Sequence, residues 1–313
     1  MPAVGLIINE RSNRSPTVID ELLYVSRRFA EVTTEVLDGV RGLDNALIGM
    51  NRRRIDTLIL AGGDGTMQAI FTDAINNRRF EQAPRFVALP CGMTNVIAND
   101  CGLRGAPAAS LDAFLRRRES GSVTAVRRTL LSVSQGAREP VHGFFLGAGA
   151  FHSAVKFSRS HIQSKGAKRS LAVAASVGAY VFKLATNRAD VEPLDLQFRE
   201  GGPNAPVESD LTAFMATTLS KLGSGIYPFW GQGPGAIAAT SIAAPLRRPW
   251  RATPFVMSGR PAPWFEDYGY RSWRSDRIVA RFDAPFVFDG ELYQADGKED
   301  VVFGTTHNVD FLH

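Results

Sequence analysis

Apolar and polar positions change rhythm once along this chain, near residue 122. Before that point, short apolar runs alternate with stretches of helical spacing. Residues 3–8 (Ala-Val-Gly-Leu-Ile-Ile) read as a buried strand, and residues 16–29 place Val18, Leu22, Val25 and Phe29 on one helical face. Pro16 suits the first turn of that helix, where no N–H is missed. Residues 31–37 alternate as a strand, 42–53 read as a helix, and Thr57–Ala61 as another strand. Thr66–Ile75 is predicted helical with Met67, Ile70, Phe71 and Ala74 inward. Phe86–Leu89 is the next strand, and Thr94–Asp100 and Ala108–Arg118 read as helices. Strands alternating with helices predict a mainly parallel sheet. Ligands on such sheets bind beyond the carboxyl ends of the strands.

After residue 122 the apolar runs are short and broken by Gly and Pro: Leu130–Val133, Phe144–Leu146, Leu211–Leu219, Ile278–Phe282 and Phe286–Phe288. This texture predicts antiparallel strands in a sandwich. One helical insertion, near 168–186, follows a basic stretch, and Gly201–Pro206 is a loop. The domains expected are therefore 1–122, an α/β unit, and 123–313, an antiparallel β-sandwich.

The densest chemical signal is Leu58-Ile59-Leu60-Ala61-Gly62-Gly63-Asp64-Gly65-Thr66. Gly62, Gly63 and Gly65 open backbone angles closed to other residues and let a ligand approach the main chain. A helix start at Thr66 offers N–H groups and the positive end of a dipole to an anion. Asp64 is then a carboxylate beside a phosphate-sized hole, where it needs a metal, direct or through water, or a proton. The plain alternative is a tight strand-to-helix turn with an Asp-Gly signal.

Gly-Gly-Asp-Gly-Thr resembles the nucleotide loop of the diacylglycerol kinase catalytic family, the sphingosine and ceramide kinases, and the NAD kinases. Pro90-Cys91-Gly92-Met93-Thr94-Asn95 is similar to the Pro-x-Gly-Thr-x-Asn element of the lipid kinases. Asp289-Gly290-Glu291 resembles their Asp-Gly-Glu, and Asn9-Glu10-Arg11-Ser12 their Asn-Pro-x-Ser, with Glu10 in place of Pro. The four segments run in the family's order over most of the chain. The resemblance implies a Rossmann-like N-terminal domain, a β-sandwich C-terminal domain and an active site in the cleft between them. It also implies ATP and Mg²⁺ as cofactors and a diacylglycerol-, ceramide- or sphingoid-type lipid as acceptor. The expected nucleotide contacts are Asn9, Ser12, Gly62, Gly63, Gly65, Thr66, Gly92, Thr94 and Asn95. The expected catalytic residues are Asp64, Asp289 and Glu291, with Asp64 also the metal ligand. NAD kinase and a non-catalytic nucleotide or lipid binder stay open as alternatives.

Phosphoryl transfer to an alcohol needs the phosphates held, their charge neutralised, and a carboxylate to accept the hydroxyl proton. Asp64 and Asp289 are both candidates for that base. Asp289-Gly290 also reads as an ordinary hairpin turn between Phe286–Phe288 and Leu292–Gln294. Several family acids are replaced. Val96 stands where many bacterial members have Asp, and Ser122–Val126 holds no acid. Gly231–Gly235 has no counterpart of the Asp-Asp-Gly segment that supports a structural magnesium, and His152 sits near a usual Asp. A half-buried structural role for His152 competes with contact to the substrate hydroxyl.

Composition narrows the partners. The 313 residues are 44% hydrophobic and 21% charged, ordinary for a folded chain. Two cysteines, Cys91 and Cys101, make no disulfide framework and no four-ligand zinc site. No signal peptide and no membrane span is read, since Lys183 interrupts the longest apolar stretch. A cytoplasmic protein is expected. A net charge of +5 and a pI near 9.4 suit nucleotides or anionic headgroups. No nucleic-acid module is recognisable. Lys156, Arg159, Lys165, Lys168 and Arg169 precede an apolar helix and predict peripheral attachment to an anionic membrane face, against the alternative of a solvated surface. Tyr227, Phe229, Trp230, Trp250, Trp264, Phe265, Tyr268, Tyr270 and Trp273 form a dense aromatic group, read either as core or as a lipid-facing rim. A homodimer also stays open.

Overall fold

The apolar run Val4–Ile8 is buried along its whole length, and so is Leu58–Ala61. Strands buried on both faces need cover on both, which a parallel sheet between helices supplies. The computed structural model describes residues 3–12, 16–151, 193–202, 205, 210–223 and 226–313. His152, the insertion expected near 168–186, and the basic run Lys156, Arg159, Lys165, Lys168 and Arg169 lie outside the described residues. The chain forms two compact units. One is Met1–Thr129 with Leu219–Gly223 and His307–His313; the other is Leu130–Thr218 with Ser224–Thr306.

In the first unit, β1 (Ala3–Asn9), β2 (Val32–Leu37), β3 (Ile55–Gly62) and β4 (Arg85–Pro90) lie in the order β2-β1-β3-β4, all parallel. The end of the last strand adds beside β4, Phe311 opposite Phe86. Between them run the helices α1 (Pro16–Ser26), α2 (Leu43–Arg52) and α3 (Asp64–Asn76), and α4 (Val96–Cys101) and α5 (Pro107–Glu119) follow β4. Val4, Leu6, Ile8 and Ile59 pack with Leu22 and Val25 of α1 and Phe114 of α5. On the strands' other side, a Cβ added to Gly5 would sit 2.6 Å from the Met50 sulfur of α2. Phe71 of α3 meets Phe86 edge-on, ring centroids 5.0 Å apart. The chain leaves β1 for β2 on one side and returns to β3 on the other. That reversal is the switch point at which open α/β sheets form their ligand crevice. Asn9 ends β1 there, and Gly62 ends β3.

The second unit is a sandwich of antiparallel strands. One sheet runs β12 (Tyr270–Ser275), β11 (Ile237–Ala243), β10 (Asp210–Thr217), β7 (Phe145–Gly149), β14 (Pro285–Phe288) and β15 (Glu291–Gln294), with β8 (Leu194–Asp195) also on β10. Facing it, β13 (Arg277–Arg281) lies between β9 (Gln197–Glu200) and β16 (Val301–Leu312), and β5 (Ala125–Gln135) pairs with β16 and β6 (Val141–Gly143). Leu146, Phe214 and Phe288 of one sheet meet Leu131, Phe198, Ile278 and Phe303 of the other in a single core. A further helix, α6 (Pro249–Ser258), packs on its own small aromatic cluster. Among the described residues, no helix is long and apolar enough to cross a membrane.

Candidate functional site

Gly63 alone separates β3 from α3, in extended conformation with φ −89° and ψ 176°. The Thr66 and Met67 N–H groups close the first helical turn on the Gly63 carbonyl at 3.0 and 3.1 Å. The helix starts two residues before the expected Thr66, so Asp64 and Gly65 are its first residues. No side chain caps this start, which leaves the positive end of α3 to an anion. Thr66 packs back on Gly62, where an added Cβ would lie 2.7 Å from the Thr66 Cβ. Asn9 Nδ2 donates to Thr66 Oγ1 at 2.6 Å, tying the end of β1 to the glycine turn. The Ser12 hydroxyl is buried and finds no partner among the described residues. Such a group is suited to an oxygen that a ligand brings.

The segment after β4 closes on this turn. A Cβ on Gly92 would lie 2.7 Å from the Gly63 Cα, so two backbones touch and Gly92 has no room for a side chain. Gly92 N–H donates to Asn95 Oδ1 at 2.6 Å, and Asn95 holds a left-handed conformation with φ 52° as α4 begins. Thr94 is exposed. Glycine turn, helix start and abutting glycines bring together the backbone features that an anion site uses.

Asp64 holds the two segments together. Its carboxylate accepts the Thr94 hydroxyl at 2.7 Å, the Val96 N–H at 3.1 Å and the Ile97 N–H at 3.0 Å. It caps α4 from outside that helix's own sequence. Burial pushes the Asp64 carboxyl above the ordinary aspartate range, and the three donors pull the other way. Its own backbone N–H adds to these donors. Asp64→Asn would face an amide NH₂ against at least one of the two N–H groups. A buried donor left unsatisfied costs about 1–3 kcal/mol, so a denaturant midpoint should fall by that equivalent, together with ADP affinity. Loss of turnover with affinity and stability intact would instead mark Asp64 as a chemical group.

Asp289 belongs to the second unit. With Gly290 it forms a two-residue hairpin between β14 and β15, Phe288 opposite Glu291, with φ 45° and 87° at the two turn residues. Positive φ at both positions is the turn that Asp-Gly favours. The turn is also docked: the buried carboxylate accepts the Phe144 N–H at 2.8 Å and the Phe145 N–H at 2.9 Å. The Asp289 N–H donates to the Phe145 carbonyl at 2.8 Å. Gly143 makes room for this, since a Cβ there would lie 2.0 Å from Asp289 Oδ2. Glu291 is exposed at the start of β15. Motif reading missed Gly143, although a glycine within an apolar strand often marks a close approach.

Among the described residues no three His, Cys, Asp or Glu side chains gather as a metal site. At the start of the acid-free loop Gly231–Gly235, the Trp230 and Gly231 N–H groups donate to Ser272 Oγ at 3.1 and 3.0 Å. Cys91 and Cys101 are buried, and burial pushes the Cys101 thiol far up, so neither is placed as a nucleophile.

Comparison with known proteins adds two findings. Residues 3–126 match the family model of the diacylglycerol kinase catalytic domain. None of the curated proteins matches the chain by sequence. Among solved structures, a diacylglycerol kinase from Bacillus anthracis str. Sterne is similar at 11% identity and TM-score 0.58, over 98% of this chain and 96% of that one. Two structures from the same strain, each described as a candidate diacylglycerol kinase, reach TM-scores of 0.64 and 0.66 at 13% and 12% identity. They cover 99% of this chain and 96% and 97% of theirs. At such identity these structures establish the fold.

Proposed function

We propose, on the premise that residues 3–126 belong to the diacylglycerol kinase catalytic family and that the chain is a lipid kinase, that it moves the γ-phosphoryl group of ATP to the primary hydroxyl of a diacylglycerol-, ceramide- or sphingoid-type lipid. The observation that carries this reading is the cradle of Gly62, Gly63, Gly65 and Thr66 against Gly92 and Asn95, at the switch point of a parallel sheet. Asn9 and Ser12 border it from β1, and Thr94 joins it through Asp64. Backbone N–H groups at the start of α3 bind the phosphates. Asp64 works chiefly as a positioning residue, because it spends three acceptor sites on holding the second loop. Mg²⁺ entering with the nucleotide would neutralise phosphate charge, the usual manner where few carboxylates are offered. Asp289 accepts the hydroxyl proton, held in one orientation by two N–H donors. Glu291, exposed beside the same hairpin, faces the polar part of the acceptor. On this reading the enzyme works at the cytoplasmic face of a membrane.

The test offers labelled ATP and Mg²⁺ with diacylglycerol, ceramide, sphingosine and NAD in one panel. Label is expected on one of the lipids. Label on NAD, or nucleotide binding with no label on any acceptor, overturns the reading.

A further inference from the structure

No acidic residue occurs between Asp210 and Glu266. Helix α6 lies within that stretch, with Arg247 and Arg248 before it, Arg251 on it and Arg260 just after it. The helix buries its small residues and shows its large ones. Ala252 and Val256 are 1% and 8% exposed against Ala262, Phe265 and Tyr270, while Trp250 and Phe255 are 55% and 41% exposed. Pro254, also exposed, lies between them on the same outer arc. The aromatic group of the sequence is thereby divided. Phe229, Phe265, Tyr270 and Trp273 are core, and Trp250 belongs to the surface. Arg248 is held over the Tyr268 ring, 4.2 Å from its centroid, and none of the four arginines forms an ion pair among the described residues. The nearest acids in sequence, Glu266 and Asp267, sit on a separate short turn.

We propose that this face of α6 is the surface by which the protein rests on an anionic bilayer. Trp250 and Phe255 enter the boundary between headgroups and acyl chains, where amphipathic aromatic rings are favoured. Arg247, Arg248, Arg251 and Arg260 meet lipid phosphates. Charge complementarity selects this occupant, since unpaired arginines flank the exposed aromatics and the sequence around them supplies no acid. The inference rests on the lipid kinase reading, in which a water-insoluble acceptor is met at a membrane.

The test is sedimentation of the full chain with phosphatidylcholine vesicles carrying rising fractions of phosphatidylserine. Binding by the parent should rise with phosphatidylserine and fall with salt. The double variant Trp250→Ala, Phe255→Ala should bind at least ~10-fold more weakly, since the apolar insertion is lost. Arg251→Gln with Arg260→Gln should flatten the dependence on phosphatidylserine. Both variants should melt like the parent and phosphorylate a short-chain lipid in detergent micelles at the parent rate. A parent that ignores vesicles, or an aromatic variant that sediments like the parent, overturns the proposal. So does a shift from dimer to monomer in the aromatic variant, because a second copy of the chain would then cover the face. Vesicle binding as expected, with no lipid phosphorylated in any dispersion, leaves the face standing and removes the kinase reading instead.

Discussion

Asp289→Asn is expected to lower turnover by at least ~10²-fold, the lower scale of general-base catalysis. The substitution suits the backbone, because Asn accepts the left-handed conformation and an Asn-Gly pair favours the same hairpin. It removes the charge and turns one amide N–H toward Phe144 or Phe145, at a cost of about 1–3 kcal/mol for a buried unsatisfied donor. The fold should survive that loss. Gly143→Ala provides a second route to the same outcome. Its Cβ would occupy a point 2.0 Å from Asp289 Oδ2, so the carboxylate must leave its two N–H donors. Turnover should fall although every carboxylate is still present. Steady-state rates at saturating lipid, read beside a thermal melt, check both variants. Near-normal turnover in Asp289→Asn would move the base to Asp64.

The second large effect is expected at Gly92. An added Cβ meets the Gly63 Cα at 2.7 Å, backbone against backbone, and no rotamer change relieves it. Gly92→Ala should therefore spread the two loops and weaken ADP binding at least ~10-fold, about 1.4 kcal/mol. Gly63→Val acts less directly. Its Cβ would stand 3.4 Å from the Gly92 Cα, an ordinary contact, and only its branched methyls would intrude on the phosphates. A calorimetric titration with ADP measures both. Parent-like affinity in Gly92→Ala would mean that the nucleotide does not use this cradle.

The first unit is legible in the sequence because its inner strands are buried on both faces and its helices on one. Uniform apolar runs and a 3.6-residue period are strong signals, and Val4–Ile8 and Leu58–Ala61 carry them plainly. The second unit is harder to read. Strand β11, Ile-Ala-Ala-Thr-Ser-Ile-Ala, is mostly small residues with no run of β-branched or aromatic ones. Its buried Thr240 is satisfied by the Pro228 carbonyl at 2.6 Å, a partner that only the fold reveals. Strand β12 places Arg271 and Arg274 around the buried Trp273. Helix α6 begins at Pro249, which suits a first turn, but contains Pro254, which argues against a helix when read locally.

The site divides in the same way. Glycine spacing exposes the two loops, since close approach demands glycine wherever it occurs. The partners of Asp64 are hidden, because Val96 and Ile97 act through their backbone N–H groups and their side chains carry no clue. The replacement of a family Asp by Val96 therefore leaves this part of the geometry intact. Gly143 escapes notice for the converse reason. Its role is to be absent from the space that Asp289 fills, and Asp289 lies far away in sequence.

Phosphoryl transfer to a lipid hydroxyl is the central claim, and one measurement addresses it directly. The chain is incubated with γ-labelled ATP, Mg²⁺ and either diacylglycerol or a triacylglycerol of the same acyl composition, and the lipid fraction is counted. Diacylglycerol should gain label in step with ADP release, and triacylglycerol, which has no free hydroxyl, should gain none. If ceramide or a sphingoid base is the natural acceptor, the same contrast holds between that lipid and its hydroxyl-blocked ether. No label on any free-hydroxyl lipid, with ATP left intact or its phosphate released only to water, would contradict the account.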